Sequence, residues 1–178
     1  MRVITGSARG TKLIAPEGLE TRPTSDMAKE AIFSAIQFSI EQSRILDLFA
    51  GSGQLGIEAL SRGAKSAVFV DSSREAISCI KANLTKTKLF PLSQVAAMDC
   101  FIFLKHSRDT FDIIFADPPY NSNSIDEILK YTENKISDNG MIIVETEKNE
   151  TVPEKFGSLS AVKSYRCGKA KFTVYKKS

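Results

Sequence analysis

The sequence predicts an α/β chain: a doubly wound, mostly parallel sheet of seven strands with an antiparallel edge, preceded by a short N-terminal β extension and a helix. Three observations predict it. Apolar runs of strand length alternate with segments of helical periodicity from about residue 44 onward, the pattern of right-handed βαβ units with helices on both sheet faces. The last two strand candidates are separated only by a turn at Gly168, too little for a crossover helix, so they pair antiparallel. A length of 178 residues, 42% hydrophobic and 25% charged, suits one domain with a sizeable core. The expected division is an extension over 1–43 and a core over 44–178.

The elements follow in order. Val3-Ile4-Thr5 and Lys12-Leu13-Ile14 read as short strands, and Pro16, Gly18 and Pro23 stop anything longer. Thr24, Ser25 and Asp26 offer N-caps for a helix from Met27 to about Ile40, with Ile32, Ile36 and Ile40 on one face. Ile45–Phe49 is the first core strand, Gln54–Arg62 a helix stopped by Gly63, and Ala67–Asp71 the second strand. Ser73 to about Thr85 is helical, Gln94–Met98 a third strand, and Phe101–His106 a short helix. Phe111–Ala116 is a fourth, nearly all-apolar strand, Ser124–Lys135 a helix, and Gly140–Thr146 a fifth strand. Two further strands lie near Ser160–Arg166 and Lys171–Lys176.

Composition narrows the class. No apolar run approaches the ~18 residues of a membrane helix, and Met1–Gly6 has no apolar signal region, so a cytoplasmic protein with no membrane contact is expected. Cys79, Cys100 and Cys167 are odd in number and widely spaced, which fits reduced thiols rather than a disulfide framework or a zinc site. His106 is the sole histidine, so no metal is expected. The net charge of +3 is unevenly spread. Residues 163–178 hold Lys163, Arg166, Lys169, Lys171, Lys176 and Lys177 and no acid, which suits a polyanionic partner or a charged edge strand.

Chemistry concentrates after the first and fourth core strands, the ends at which ligands of such sheets sit. Asp47-Leu48-Phe49-Ala50-Gly51-Ser52-Gly53-Gln54-Leu55-Gly56 contains G-x-G-x-x-G, and Asp71 ends the next strand. Glycines let the backbone approach a ligand closely, and a carboxylate at the second strand's end takes ribose hydroxyls. The extra acid, Asp47, is a poor neighbour for pyrophosphate and a good one for an ammonium. S-adenosylmethionine has an ammonium, a ribose and no phosphate, so it fits better than a dinucleotide. Backbone at Phe49, Ala50, Gly51 and Gly53, with Asp47, would hold its methionine end. Asp99 would accept from the adenine amine with the Cys100 amide near the ring, or cap the short helix, or do both.

The fourth strand runs into Asp117-Pro118-Pro119-Tyr120. Paired prolines stiffen a loop and remove two donors, leaving acceptors. The Asp117 carboxylate and the Pro118 carbonyl together suit the two N–H groups of an exocyclic base amine, of guanine or adenine, whose lone pair then attacks a sulfonium methyl. Tyr120 offers a flat face on which a flipped base stacks. Asp117 takes the amine's proton or only accepts its hydrogen bond.

With these residues in view the chain resembles a known family. Residues 44–147 are similar to class I S-adenosylmethionine-dependent methyltransferases, and the whole chain resembles the RsmD family of bacterial 16S rRNA guanine-N2 methyltransferases. The resemblance rests on Met1–Ile4 with Arg9-Gly10, Thr21-Arg22-Pro23-Thr24-Ser25-Asp26, Asp47–Gly53 with Glu58–Ala64, Asp117–Tyr120, and Tyr165–Lys169. It implies a Rossmann-like methyltransferase fold, S-adenosylmethionine as cofactor, and one guanine of 16S rRNA, in an assembled or partly assembled small ribosomal subunit, as target. One departure is Met27-Ala28-Lys29-Glu30, where only Lys29 is basic. Arg9, Lys12, Arg22, Lys169 and Lys171 are the candidates for RNA phosphates, and a monomer is expected. The rival readings are adenine-N6 methylation, a cofactor-holding ribosome-assembly module, and a nicotinamide-dependent oxidoreductase.

Overall fold

The computed structural model of the protein describes residues 1–16, 25–119 and 125–178. Among these, strands β1 (Arg44–Leu48), β2 (Ser66–Asp71), β3 (Ser93–Ala97), β4 (Phe111–Ala116) and β5 (Ile136–Glu147) lie parallel. β6 (Lys155–Phe156), β7 (Leu159–Cys167) and β8 (Ala170–Lys177) complete one sheet in the order β3-β2-β1-β4-β5-β8-β7-β6. β8 runs antiparallel between β5 and β7. The sheet therefore has eight strands rather than the expected seven. The addition is the two-residue β6, which folds back on β7 through Gly157 at φ 56. So short a strand carries no periodicity to read.

Helices α1 (Asp26–Ala35), α2 (Gln54–Ser61), α3 (Arg74–Thr87), α4 (Cys100–His106) and α5 (Ile125–Thr132) fill the faces. The side chains of Ser25, Ser73 and Asp99 cap α1, α3 and α4. Two helices are shorter than their apolar patterns, because 3-10 turns at Gln37–Ser39 and Glu133–Lys135 carry the pattern onward. Ile36 and Ile40 stay buried all the same.

Alternation along the strands feeds two cores. Ile45, Phe69, Ile113, Phe115 and Ile143 face α1, α2 and α3, packing with Phe33, Ile57 and Ile80. Leu46, Leu48, Ile114, Ile142 and Val144 face α4 and α5, packing with Leu104, Ile128 and Leu129. Burial on both faces is why these strands read as unbroken apolar runs.

The N-terminal extension departs from its expected strands. Among the described residues one β-bridge, Arg2 to Lys12, joins its arms, and the Val3, Gly10 and Leu13 amides donate across it. Its other amides turn to α2 and α3. Glu58 accepts from the Ile4 and Thr5 amides at 2.8 and 3.0 Å, and the Ser61 hydroxyl accepts from Ala8 at 3.0 Å. Asn83 exchanges two hydrogen bonds with Ile14 and gives a third to the Ser52 carbonyl, so the extension, α3 and the glycine loop share one buried side chain.

Candidate active site

Strand register places the reactive groups at one level. Leu48 pairs with Val70 on one side and Ala116 on the other. The next residues, Phe49, Asp71 and Asp117, thus emerge together at the sheet's carboxyl edge. Side-chain alternation puts Asp47, Asp71 and Asp117 on the same face, the one covered by α2 and α3.

The glycine loop is built around backbone that most residues avoid. Phe49, Gly51 and Gly53 all take left-handed φ, at 57, 55 and 75°. A phenylalanine there is strained, and such strain clusters at functional sites. It is held by three contacts: the Phe49 amide donates to Cys100 Sγ at 3.3 Å, Ala50 to the Val70 carbonyl at 3.1 Å, and Gly51 to Asp71 Oδ2 at 2.9 Å. Gly56 has a packing reason. A Cβ there would stand 2.4 Å from Phe69 Cε1, so only glycine lets α2 lie this close to β2.

Asp47 is 2% exposed. Its Oδ2 accepts the Gly56 amide at 2.9 Å and so satisfies an N-terminal amide of α2 that the cap residue Gly53 cannot. Burial pushes its carboxyl up to about 8, against the Gly56 hydrogen bond and with the Asp117 and Asp71 charges adding to the rise. Burial also raises Asp117 to about 7. Asp71 is spread over two amides, Gly51 on Oδ2 and Ser73 on Oδ1 at 2.9 Å. Asp99 caps α4, its Oδ1 accepting from Phe101 and Ile102 at 2.9 and 3.0 Å. The thiol of Cys100 also meets the glycine loop. It hydrogen-bonds the Phe49 amide, and burial raises it to about 12, so it is a neutral prop and not a nucleophile.

The remaining expectations sort plainly. Asp47, Phe49, Ala50, Gly51, Gly53, Asp71, Asp99, Cys100 and Asp117 converge on one edge, with Pro118, next in the chain, buried. Tyr120 and Arg22 lie outside the described residues. Arg9 and Lys12 are exposed on the extension, and Lys169 is exposed at the β7–β8 turn. Lys171 is corrected: it is 8% exposed, and its ammonium donates to the Glu150 carbonyl, so it does not stand in solvent ready for a phosphate. Lys29 is fully buried, donating to the Arg2 carbonyl beside Asp26, so it tethers the extension. The Asn83 clamp on the loop was invisible to sequence reading, since nothing in local spacing ties position 83 to 14 or 52.

Comparison with known proteins bears on this geometry. The family model described as "Conserved hypothetical protein 95" matches residues 1–176. Ribosomal RNA small subunit methyltransferase D of Haemophilus influenzae is 37% identical, over 93% of this chain and 92% of that one. The chain belongs to this family, the RsmD family. Another relative, the Bacillus subtilis protein YlbH, is 39% identical over 99% of both chains. Among solved structures, the Escherichia coli methyltransferase yhhF superposes with a TM-score of 0.88 at 31% identity, covering 99% of this chain and 97% of that one. The fold is thus that of the class I methyltransferases, as the sequence predicts.

Proposed function

We propose that the protein transfers a methyl group from S-adenosylmethionine to the exocyclic N2 of a guanine in 16S rRNA of the small ribosomal subunit. The observation that carries the reading is the cluster of Asp47, Asp71 and Asp117 against the glycine loop, two of them with carboxyls raised toward neutrality. A cationic ligand favours the ionised forms of such carboxyls and so suits this pocket. An anionic pyrophosphate does not fit, because Asp71 already occupies the Gly51 amide that a phosphate would use. An ammonium and a sulfonium do. The name borne by the Haemophilus influenzae relative supports rRNA of the small subunit as acceptor.

S-adenosylmethionine, when bound, supplies an electrophilic methyl group. Asp47 and the backbone of Phe49–Gly53 hold its amino-acid end, Asp71 its ribose through lone pairs left over from the two amides, and Asp99 its adenine. Asp117 and the Pro118 carbonyl accept the two N–H groups of the target amine and aim its lone pair. Tyr120 stacks on the flipped base, a contact worth roughly 1–3 kcal/mol. Asp117, with a carboxyl at about 7, takes the proton that the amine gives up. Positioning of this kind supplies most of the acceleration, up to roughly 7–11 kcal/mol.

Asp117→Asn tests the assignment. It keeps the shape and removes the charge and the proton acceptor. Turnover should fall by about 100-fold or more, while affinity for S-adenosylhomocysteine, measured by calorimetry, stays within a few-fold. Unchanged turnover would remove Asp117 from the chemistry.

A further inference from the structure

A groove of about 750 Å³ lies at the antiparallel end of the sheet, between the segment 148–155 and β7. Its rim carries Lys148, Lys155, Lys163 and Arg166, all exposed and, among the described residues, none in a salt bridge. Lys171 is in its floor, buried, with its ammonium on the Glu150 main-chain carbonyl rather than on a carboxylate. Two acids, Glu150 and Glu154, oppose these five cations. The Lys171 ammonium is spent on that carbonyl, so the four exposed rim cations, against two acids, are what favour an anion in the groove.

The wall opposite β7 is pinned in place. The Lys148 amide donates to Lys169, the Tyr175 hydroxyl to the Pro153 carbonyl at 2.8 Å, and the Ala161 amide to the Glu154 carbonyl at 2.8 Å. The groove is therefore formed before anything enters it. A bulge between Ala161 and Lys163 turns Val162 out, 54% exposed, to give the rim an apolar contact. Position matters as much as charge. Segment 148–155 follows directly from β5, the strand beside β4, whose end delivers Asp117. β7 stands three strands from β4, or about 14 Å at ~4.8 Å per strand, and the floor residues Lys171 and Thr173 alternate with the α1–α3-facing Phe172 and Val174, so the groove opens on the α4/α5 face and its strand would cross the carboxyl edge to reach Asp117.

We infer that this groove seats the phosphate backbone of a single-stranded RNA segment flanking the target base. The inference deepens, and rests on, the rRNA reading above. The groove holds the strand while Asp117 meets the base.

The test replaces Lys148, Lys163 and Arg166 together by Glu and compares the variant with one carrying Glu at Lys65, Lys81 and Lys86, on the far side of the sheet. The acceptor is small ribosomal subunits lacking their own methylation. The groove variant should show an acceptor KM raised about 10-fold or more, kcat within two-fold, and unchanged affinity for S-adenosylhomocysteine. Its salt dependence should flatten by about two in log–log slope, at ~0.7 per single-strand phosphate. The far-side variant should match the parent. A groove variant with parental KM and salt slope overturns the groove while leaving the rRNA reading intact. A parent that methylates no RNA overturns both. A benzophenone side chain installed at Val162 reports the occupant. Crosslinks to rRNA support the inference, and crosslinks confined to ribosomal proteins overturn it.

Discussion

On the proposed reading Asp47 and Asp117 carry the chemistry, and both hold protons more tightly than a solvated carboxylate. Their folded values of about 8 and about 7 lie above the ~3.9 of an unfolded aspartate. The folded protein therefore keeps protons that the unfolded chain has already released, and the stability this confers is present at low pH and lost as pH rises through 7 and 8. The unliganded protein should lower its midpoint of thermal unfolding between pH 6 and pH 8.5, and Asp47→Asn should flatten the decline. A cationic cofactor reverses the logic by favouring ionised aspartates. Its affinity should rise across the same window, with protons released on binding. Calorimetry in two buffers of different ionisation enthalpy measures that release, and affinity independent of pH with no release would contradict the cluster's role. At this scale the sequence was legible where motif and strand end coincide, as at Asp47, Asp71 and Asp117. It was not legible at Lys171, whose burial depends on segment 148–155 folding over β8.

Among the elements, α2 bears the most weight. Its first turn receives Asp47, its flank lies on Phe69, and its last turn anchors the extension. Gly56→Ala drives a methyl into a fully buried ring and crowds the Asp47 oxygen 3.1 Å away. It should cost roughly 1–3 kcal/mol, read from urea unfolding, and weaken cofactor binding as well. A neutral effect would mean that α2 slides freely on β2. Glu58 is fully buried and serves Arg62 Nε at 2.8 Å as well as the Ile4 and Thr5 amides. Glu58→Ala strands all three donors, and losing one partner of a buried pair costs roughly 3–5 kcal/mol. A loss under ~1 kcal/mol would show the extension to be loosely attached. The extension also marks the limit of pattern reading. Val3-Ile4-Thr5 has strand composition, but the Ile4 and Thr5 amides bond to Glu58, more than fifty residues away, beyond any local period. The core elements were legible because helix periodicity and unbroken apolar runs, set by burial on both sheet faces, are written in the local sequence even where the strands' partners are distant.

The whole molecule reads as a methyltransferase core flanked by two additions, an extension clamped to α2 and α3 and a basic antiparallel end. Asn83 links the first to the cofactor loop, and segment 148–155 links the second to the strand beside Asp117. The first reaches the glycine loop through Asn83, and the second begins where β5 ends, at the sheet's carboxyl edge. Strand–helix alternation made the parallel sheet legible. The closing of the antiparallel end over a groove was not, because it depends on pinned loop contacts such as Tyr175 to Pro153. The most direct measurement is transfer of labelled methyl from S-adenosylmethionine to small subunits lacking their own methylation, with naked rRNA and duplex DNA in parallel and mass spectrometry of the product nucleoside. The account predicts N2-methylguanosine from the subunits. N6-methyladenosine, or no transfer to any acceptor by a protein that still binds S-adenosylhomocysteine, would contradict it.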